Sequence, residues 1–439
     1  MKKSTLSKRI LIFSIGLFFP VFMMAQEAEL TPFDTLANSV TKLQTEMGLQ
    51  KKLKVSGYIQ GQFQVADSSG ISSFAGGSFP ANVDKRFAVR RGRFKIAYEN
   101  NLTTSVIQVD VTEKGVAIKD AYFKVTEPWT KSFSLTTGVF DRPFGYEISY
   151  SSSLRESPER SRMFQTMFPG ERDLGAKITF QPPKTSKWNF LKIEGGMFNG
   201  TGGAASDFDH KKDFIGNIGI NKTTKNEKVN YAARVSYYSG GWRQGTSKVY
   251  SMGLDSLGLN AYQVEKDTAY YGEISKRQYL GADAQLNIDW AIGITALRAE
   301  YIQGKQPGVS SSSTSPSAAV TTDTYNRNFN GMYFYFLQNI AATKFQAVVK
   351  YDVYDPNTDV SVNEIGKSPK SYDGKTFAKT GKSDIKYSTI GLGLVYRYDA
   401  NVKLTAYYDI VKNETSSSLK GYSQDLSDNV FTLRLQYKF

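Results

Sequence analysis

Phe431-Thr432-Leu433-Arg434-Leu435-Gln436-Tyr437-Lys438-Phe439 alternates without a break between apolar and polar side chains. A period of two puts Phe431, Leu433, Leu435, Tyr437 and Phe439 on one face of a β-strand and the polar residues on the other. Such a strand suits the edge of a soluble sandwich, or a wall with hydrocarbon on one side and water on the other. The rest of the chain decides between them.

Working back from that stretch, alternating segments fall near 53–66, 86–99, 102–112, 116–126, 131–140, 173–181, 188–198 and 213–221. Others follow near 228–238, 278–289, 292–303, 329–338, 342–353, 386–397, 401–411 and 428–439. Together they number 16, an even count of the kind single-chain bacterial barrels require. Every second link is short and polar, as at Asn100-Asn101, Trp290-Ala291 and Asp399-Ala400. The intervening links mostly run long and are rich in Ser, Gly, Asp and Lys, as in 67–85, 141–172, 240–277, 304–328 and 354–385. The link from Thr112 to Gly115 is the exception, a short one where a long one is due. Sorting by parity is what short periplasmic turns and long external loops produce, and a sandwich has no reason for it. The sequence therefore predicts an all-β fold, a transmembrane antiparallel β-barrel of about 16 strands over 53–439. Its closing strand resembles those of bacterial outer-membrane barrels. That resemblance implies that Phe439 belongs to a signal read by the barrel-assembly machinery.

The N-terminus agrees on compartment. Lys2, Lys3, Lys8 and Arg9 precede an apolar run over 10–24 and a cut point at Ala25-Gln26. This is the layout of a secretory signal over 1–25, with an apolar run too short to favour a spanning helix. The chain has no Cys, which excludes a disulfide scaffold and lipid attachment through Cys. No later stretch approaches the roughly 18–20 uninterrupted apolar residues of a membrane helix. Tyr and Phe, at 27 and 28 copies, far outnumber the nine Met and four Trp, an enrichment that suits strands and interfacial aromatic girdles. Net charge is +14, or +10 without the four basic signal residues. An exported basic chain meets anionic solutes or lipopolysaccharide and outer-membrane lipid rather than nucleic acid.

Between signal and barrel, Phe33, Leu36, Val40, Leu43 and Met47 step by three and four, an a/d seam on a short periplasmic helix within 26–52. Thr31-Pro32 is its start signal. The seam fits a helix packed on the barrel floor and a short trimer stalk equally well.

The alternation also assigns faces. Phe94, Ile96 and Tyr98 mark the outward side of the second segment, so Arg91, Arg93 and Lys95 point inward. The same reading places Asp110, Asp120 and Lys124 in the lumen, with Lys177, Lys192, Glu194, Arg234, Arg298, Lys350 and Arg434 on other strands. The long link 141–172 is the third external connection and carries Arg142, Arg155, Arg160, Arg162 and Arg172 beside Glu156, Glu159 and Glu171. Guanidiniums beside a narrow aqueous path concentrate anions and can grip phosphate or carboxylate oxygens bidentately. The plainer alternative is that they pair with the loop's own acids, above all Arg160 and Arg172, whose neighbours are Glu159 and Glu171.

The run Arg90-Arg91-Gly92-Arg93 is followed by Asp120-Ala121-Tyr122, Gly138-Val139-Phe140 and Pro143-Phe144-Gly145-Tyr146-Glu147. Glu159-Arg160-Ser161 and Phe168-Pro169-Gly170-Glu171-Arg172-Asp173-Leu174-Gly175 complete the series. In this order they resemble the phosphate-selective porin O and P family of Gram-negative outer membranes. The resemblance implies a sixteen-stranded homotrimeric channel narrowed by inward loops, with arginines leading small anions such as phosphate to a lysine-lined constriction. Arg91, Arg93 and the loop arginines match; the constriction lysines of the later loops have no assignable position in this sequence.

An enzyme is the first rival. His210 is the sole histidine, which with the absence of Cys excludes Ser-His-Asp, Cys-His and histidine-metal sites. Asp110 and Asp120 could serve a carboxylate-only hydrolase if they converge. An energised receptor of about 22 strands plus a plug has no room in this length. A non-conducting structural or adhesive barrel is the remaining alternative. The residues call for no metal and no cofactor.

Overall fold

The computed structural model describes residues 39–42, 48, 51–203 and 205–439. The signal assigned to 1–25 and four seam residues, Phe33, Leu36, Leu43 and Met47, lie outside them, while 39–42 are helical. Nineteen strands follow. The first nine are β1 (Leu53–Ala66), β2 (Lys85–Asn100), β3 (Thr103–Thr112), β4 (Gly115–Thr126), β5 (Phe133–Asp141), β6 (Arg172–Phe180), β7 (Leu191–Phe198), β8 (Asp213–Thr223) and β9 (Val229–Arg243). Then come β10 (Lys248–Leu254), β11 (Asn260–Lys266), β12 (Ile274–Trp290), β13 (Gly293–Gly308), β14 (Thr324–Asn339) and β15 (Phe345–Asp355). The last are β16 (Thr376–Ala378), β17 (Tyr387–Arg397), β18 (Val402–Asn413) and β19 (Val430–Lys438).

Sixteen of these form a closed antiparallel wall, each beside its chain neighbour, and β19 returns to β1 with Phe63 opposite Leu433 and Ile59 opposite Tyr437. Closure leaves no unpaired edge, which a hydrocarbon surround demands. The other three, β10, β11 and β16, stand on one rim. There β10 and β11 make a hairpin, β16 pairs with β11, and β10 meets the start of β14 at Val249 and Thr324.

That rim carries the loops L1 (67–84), L2 (113–114), L3 (142–171), L4 (199–212), L5 (244–273), L6 (309–323), L7 (356–386) and L8 (414–429). The opposite rim carries shorter connections, of which 181–190 is the longest. L2 is a two-residue hairpin with Thr112 facing Gly115, so the exceptional link is a real short loop. The wall strands β9, β12, β13 and β14 reach further toward the loop rim than the alternation suggests. Their outward residues there include Ser239, Lys276, Gln278, Lys305 and Asn328, so the apolar half of the pattern fades while the backbone pairing continues.

Outward apolar side chains are widely exposed, as with Ile107 at 58% and Ile178 at 59%, whereas inward Gln60, Gln64, Thr432 and Gln436 are buried. This is the inside-out arrangement of a wall solvated by lipid outside and by polar groups inside. The main apolar cluster lies within the lumen. Phe144, Ile148, Met163, Phe164, Met167 and Phe168 of L3 pack there against Phe198, Tyr238, Tyr279, Tyr333 and Tyr354 of the wall. L3, with its helix α1 (Arg162–Met167), thus fills one side of the barrel and leaves the path on the other.

Candidate functional site

L3 is held by buried polar anchors at its root. Gly145 has φ +64, and a Cβ there would run into the Glu300 carboxylate. Only glycine takes that backbone at little cost beside so close a neighbour. The turn lets the N–H groups of Tyr146 (3.2 Å) and Glu147 (3.1 Å) donate to Glu300, which also accepts from the Tyr333 hydroxyl at 2.8 Å. Glu147 in turn accepts from the Ser161 N–H (3.0 Å) and hydroxyl (2.6 Å), pinning the far limb of the loop. The middle of L3 is clamped from the wall. Lys403 Nζ donates to the carbonyls of Ser153 (3.0 Å) and Arg155 (2.9 Å), and Gln60 donates to that of Ser152 at 3.1 Å.

Two carboxylates of L3 each gather three cations. Glu159 meets Arg90 at 2.8 Å, Arg91 at 2.7 Å and Arg434 at 2.8 Å. Glu171 meets Lys119 at 2.7 Å, Arg172 at 3.2 Å and Arg160. Burial pushes both carboxyls up, but the surrounding cations outweigh it and hold them well below the usual carboxylate range. Arg172 also binds Asp120 at 2.9 Å and Asp141 at 2.8 Å.

Arg90 and Lys119 escape the alternation because each sits at a β-bulge. The pairing of β1 with β2 slips between Gln60 and Gly61, opposite Arg91 and Val89. That of β3 with β4 slips between Gln108 and Val109, opposite Asp120 and Ile118. A bulge sets two neighbouring residues against one partner and re-aims a side chain. So Arg90 joins Arg91, and Lys119 joins Asp120, on the lumen side. A phase change in the sequence marks each site: outward Phe87 and Val89 give way to Phe94 and Ile96, and Val116 and Ile118 to Ala121 and Phe123.

Three spaces lie within the lumen, successive ones sharing lining residues. On the loop side a vestibule of about 570 Å³ is lined by Phe74, Arg162, Tyr387, Tyr422, Lys382 and Asp428 among others. A throat of about 30 Å³ follows, sharing Phe74, Arg162 and Asp428 with it and adding Glu159, Arg160, Lys350, Asp352 and Asp409. Beyond Arg160 a second vestibule of about 740 Å³ opens toward the turn rim. Its lining holds ten cationic side chains and three carboxylates. Five of the ten, Lys95, Lys124, Lys131, Lys184 and Lys438, stand apart from Asp120, Asp141 and Glu194, which pair with Arg172, Lys177 and Lys192.

The residues singled out from the sequence divide accordingly. Arg93, Lys95, Lys124, Arg160, Arg172, Lys177 and Asp120 line the turn-side vestibule, and Arg162 the throat and outer vestibule. Arg93 leans on Asp110 at 3.3 Å, and Arg162 is stacked between Phe74 and Tyr387, 4.3 and 3.7 Å from their ring centres. Asp110 and Asp120 take different cations, Arg93 and Arg172 respectively. Arg91, Arg142 and Arg155 are buried outside the lining of these three spaces. Arg142 is tied to Asp173 at 3.1 Å and Arg91 to Glu159. Burial, with Arg160 and Arg91 close by, pulls the Arg155 guanidinium down to about 9, and its three nitrogens have no hydrogen-bond partner among the described residues. Of the five loop arginines, Arg160 and Arg162 line the throat and Arg172 the turn-side vestibule, while Arg142 and Arg155 are buried away from these spaces. Lys131 and Lys184 were hidden because they lie at strand ends and turns, where alternation gives no face.

A closed wall of sixteen strands, a third loop folded inward and a lumen lined by charged side chains are the features of an outer-membrane channel. The profile of the phosphate-selective porin O and P family matches residues 90–439, and the chain belongs to that family. Among solved structures, the chain is similar to the outer membrane channel DcaP of Acinetobacter baumannii, with 12% identity and TM-score 0.52 over 88% of this chain and 97% of that one. It is also similar to an anion-selective porin from Comamonas acidovorans, with 10% identity and TM-score 0.51 over 88% and 99% of the two chains. At such identities the likeness shows the fold. No curated protein matches the chain. Family and fold together make this an outer-membrane channel for small solutes and point away from an enzyme.

Proposed function

We propose that this porin favours small anions, phosphate among them, during passive diffusion. The observation that carries the reading is the turn-side vestibule, where ten cationic side chains meet three carboxylates. Low-dielectric walls focus that excess into a potential that raises the local anion concentration. The throat itself is mixed, with Arg160, Arg162 and Lys350 against Glu159, Asp352, Asp409 and Asp428. Selectivity therefore rests on the vestibule below it rather than on a ring of arginines at the narrowest point. The similar Comamonas protein is described as anion-selective, which is consistent with this reading. Family membership favours conduction over a structural or adhesive barrel. Export through a signal over 1–25, a homotrimer, and contact with lipopolysaccharide and the assembly machinery complete the proposal.

Reversal potential in a salt gradient across a planar bilayer tests it. Wild-type protein is expected to pass chloride more readily than potassium, and Lys95→Ser with Lys124→Ser to reduce that ratio more than Arg142→Ser does. A wild-type channel that prefers cations overturns the reading.

A further inference from the structure

A groove of about 420 Å³ lies on the outside of the wall near the loop rim, bordered by Tyr237, Leu280, Gln303, Lys305 and Asn330. Backbone at Gly304 forms part of its floor. Thr358 of L7 borders the groove too, and its N–H donates to the Asn328 carbonyl at 2.8 Å, fixing the loop over the wall. Leu280 is flanked by Tyr237 and Gln303 in one row of the sheet. Two residues nearer the rim, Lys305 stands between Gln278 and Asn328. Lys276 lies two residues beyond Gln278 on the same outward face, since side chains of one face recur every second residue.

On the other side of that row the wall turns apolar and shallow. Ala284 sits between Ala233 and Ala299, and Ala282 follows it toward the groove. Tyr301 and Phe334 rise along one flank of these small residues. The surface thus runs from ammonium and amide groups, across one aromatic, to a furrow of alanines. Among the described residues, the ion pairs of β12–β14 engage Asp283, Arg277, Arg298 and Arg327 and leave Lys276 and Lys305 without a carboxylate.

We infer that this groove seats an anionic, phosphate-bearing lipid of the outer leaflet, with its headgroup against Lys305 and Lys276 and an acyl chain along the alanine furrow. A basic side chain near an anionic lipid surface attracts it electrostatically. A methylene chain gains contact wherever small residues leave room beside bulky ones. A second copy of the chain fits the face less well, because the cores of protein interfaces are depleted in lysine. The inference rests on the outer-membrane reading, and its test does not depend on ion preference.

The trial is native mass spectrometry of the purified protein in mild detergent, with diphosphoryl lipid A as the anionic probe and phosphatidylcholine as the zwitterionic one. Wild-type protein is expected to retain lipid A in preference to phosphatidylcholine. The pair Lys276→Gln and Lys305→Gln is expected to weaken retention about tenfold or more, and Ala284→Leu with Ala299→Leu to weaken it as well. Bilayer conductance of both variants should stay at the wild-type value, since none of these residues lines the path, and that reports folding independently. Equal retention in the lysine variant, or equal retention of the two lipids by wild-type protein, overturns the inference. So does a change of oligomer mass in the alanine variant with lipid retention intact, which would assign the face to a second copy.

Discussion

Arg90 and Arg91 are neighbours in the chain, yet both guanidiniums reach Glu159. Removing one partner from such a buried cluster leaves charge uncompensated, so the residues that matter for the loop are those that complete its clusters rather than those nearest the solute. Asp428 is different, because it lines both the outer vestibule and the throat and its Oδ1 has no hydrogen-bond partner among the described residues. Burial pushes its carboxyl up to about 6, with Asp425 adding to the rise and Arg162 opposing it. A raised carboxyl is charged above that value and neutral below it, so acidification from pH 7.5 to 5 removes a negative charge from the throat entrance. Anion preference is expected to increase over that window, and Asp428→Asn to shrink the increase. Reversal potentials measured across the window decide it; an equal response in the variant refutes the assignment. At this scale the sequence was half legible. Alternation placed Arg93, Lys95 and Lys124 because their strands keep phase around them. It missed Arg90 and Lys119, although the slip from Val89 to Phe94 was visible in the apolar residues, because a bulge was not allowed for.

At the scale of elements, the wall was readable wherever lipid imposes the period of two, and the ends of β9, β12, β13 and β14 were not, because outside the hydrocarbon the outward face turns largely polar. L3 had a readable position in the loop order, but its anchoring depends on Glu300 and Lys403, strand residues far away in the chain. Gly145→Ala tests the anchor. An Ala at φ +64 costs about 1–2 kcal/mol, and its Cβ would displace the Glu300 carboxylate. The expected outcome is a folded barrel with a loosened L3 and a larger or noisier single-channel conductance. An unchanged conductance in the folded variant would show that Glu300 does not hold the loop. The seam of the barrel offers a second test. Phe439 exchanges both backbone hydrogen bonds with Gly57 at 3.0 Å, and its ring covers the position where a Gly57 Cβ would stand. Phe439→Asp is expected to lower the yield of heat-modifiable barrel while export continues; normal yield would rule out a role for the ring in closing β19 on β1.

Across the whole molecule, net charge says little about what a solute meets, since many of the described cations are paired with carboxylates away from the path. The path is uneven along its length. The outer vestibule sets Arg162 and Lys382 against Asp428, while the turn-side vestibule holds its ten cationic groups below a throat of mixed sign. A narrow pore with fixed charge on one side of its constriction passes current more easily in one direction, because the charged side accumulates carriers under one polarity and is drained under the other. That asymmetry lasts only while salt leaves the charge unscreened. The Debye length is about 30 Å at 0.01 M and about 3 Å at 1 M, so the vestibule field spans the lumen at low salt and collapses to the wall at high salt. Current–voltage curves of protein inserted in one orientation are therefore expected to bend at about 0.01–0.1 M salt and to straighten at 1 M. Replacing Lys95, Lys124 and Lys131 by Gln should straighten the low-salt curve, because these three are free of the vestibule's carboxylates. Straight curves from wild-type protein at low salt would mean that the vestibule's excess charge does not govern the ions in the throat.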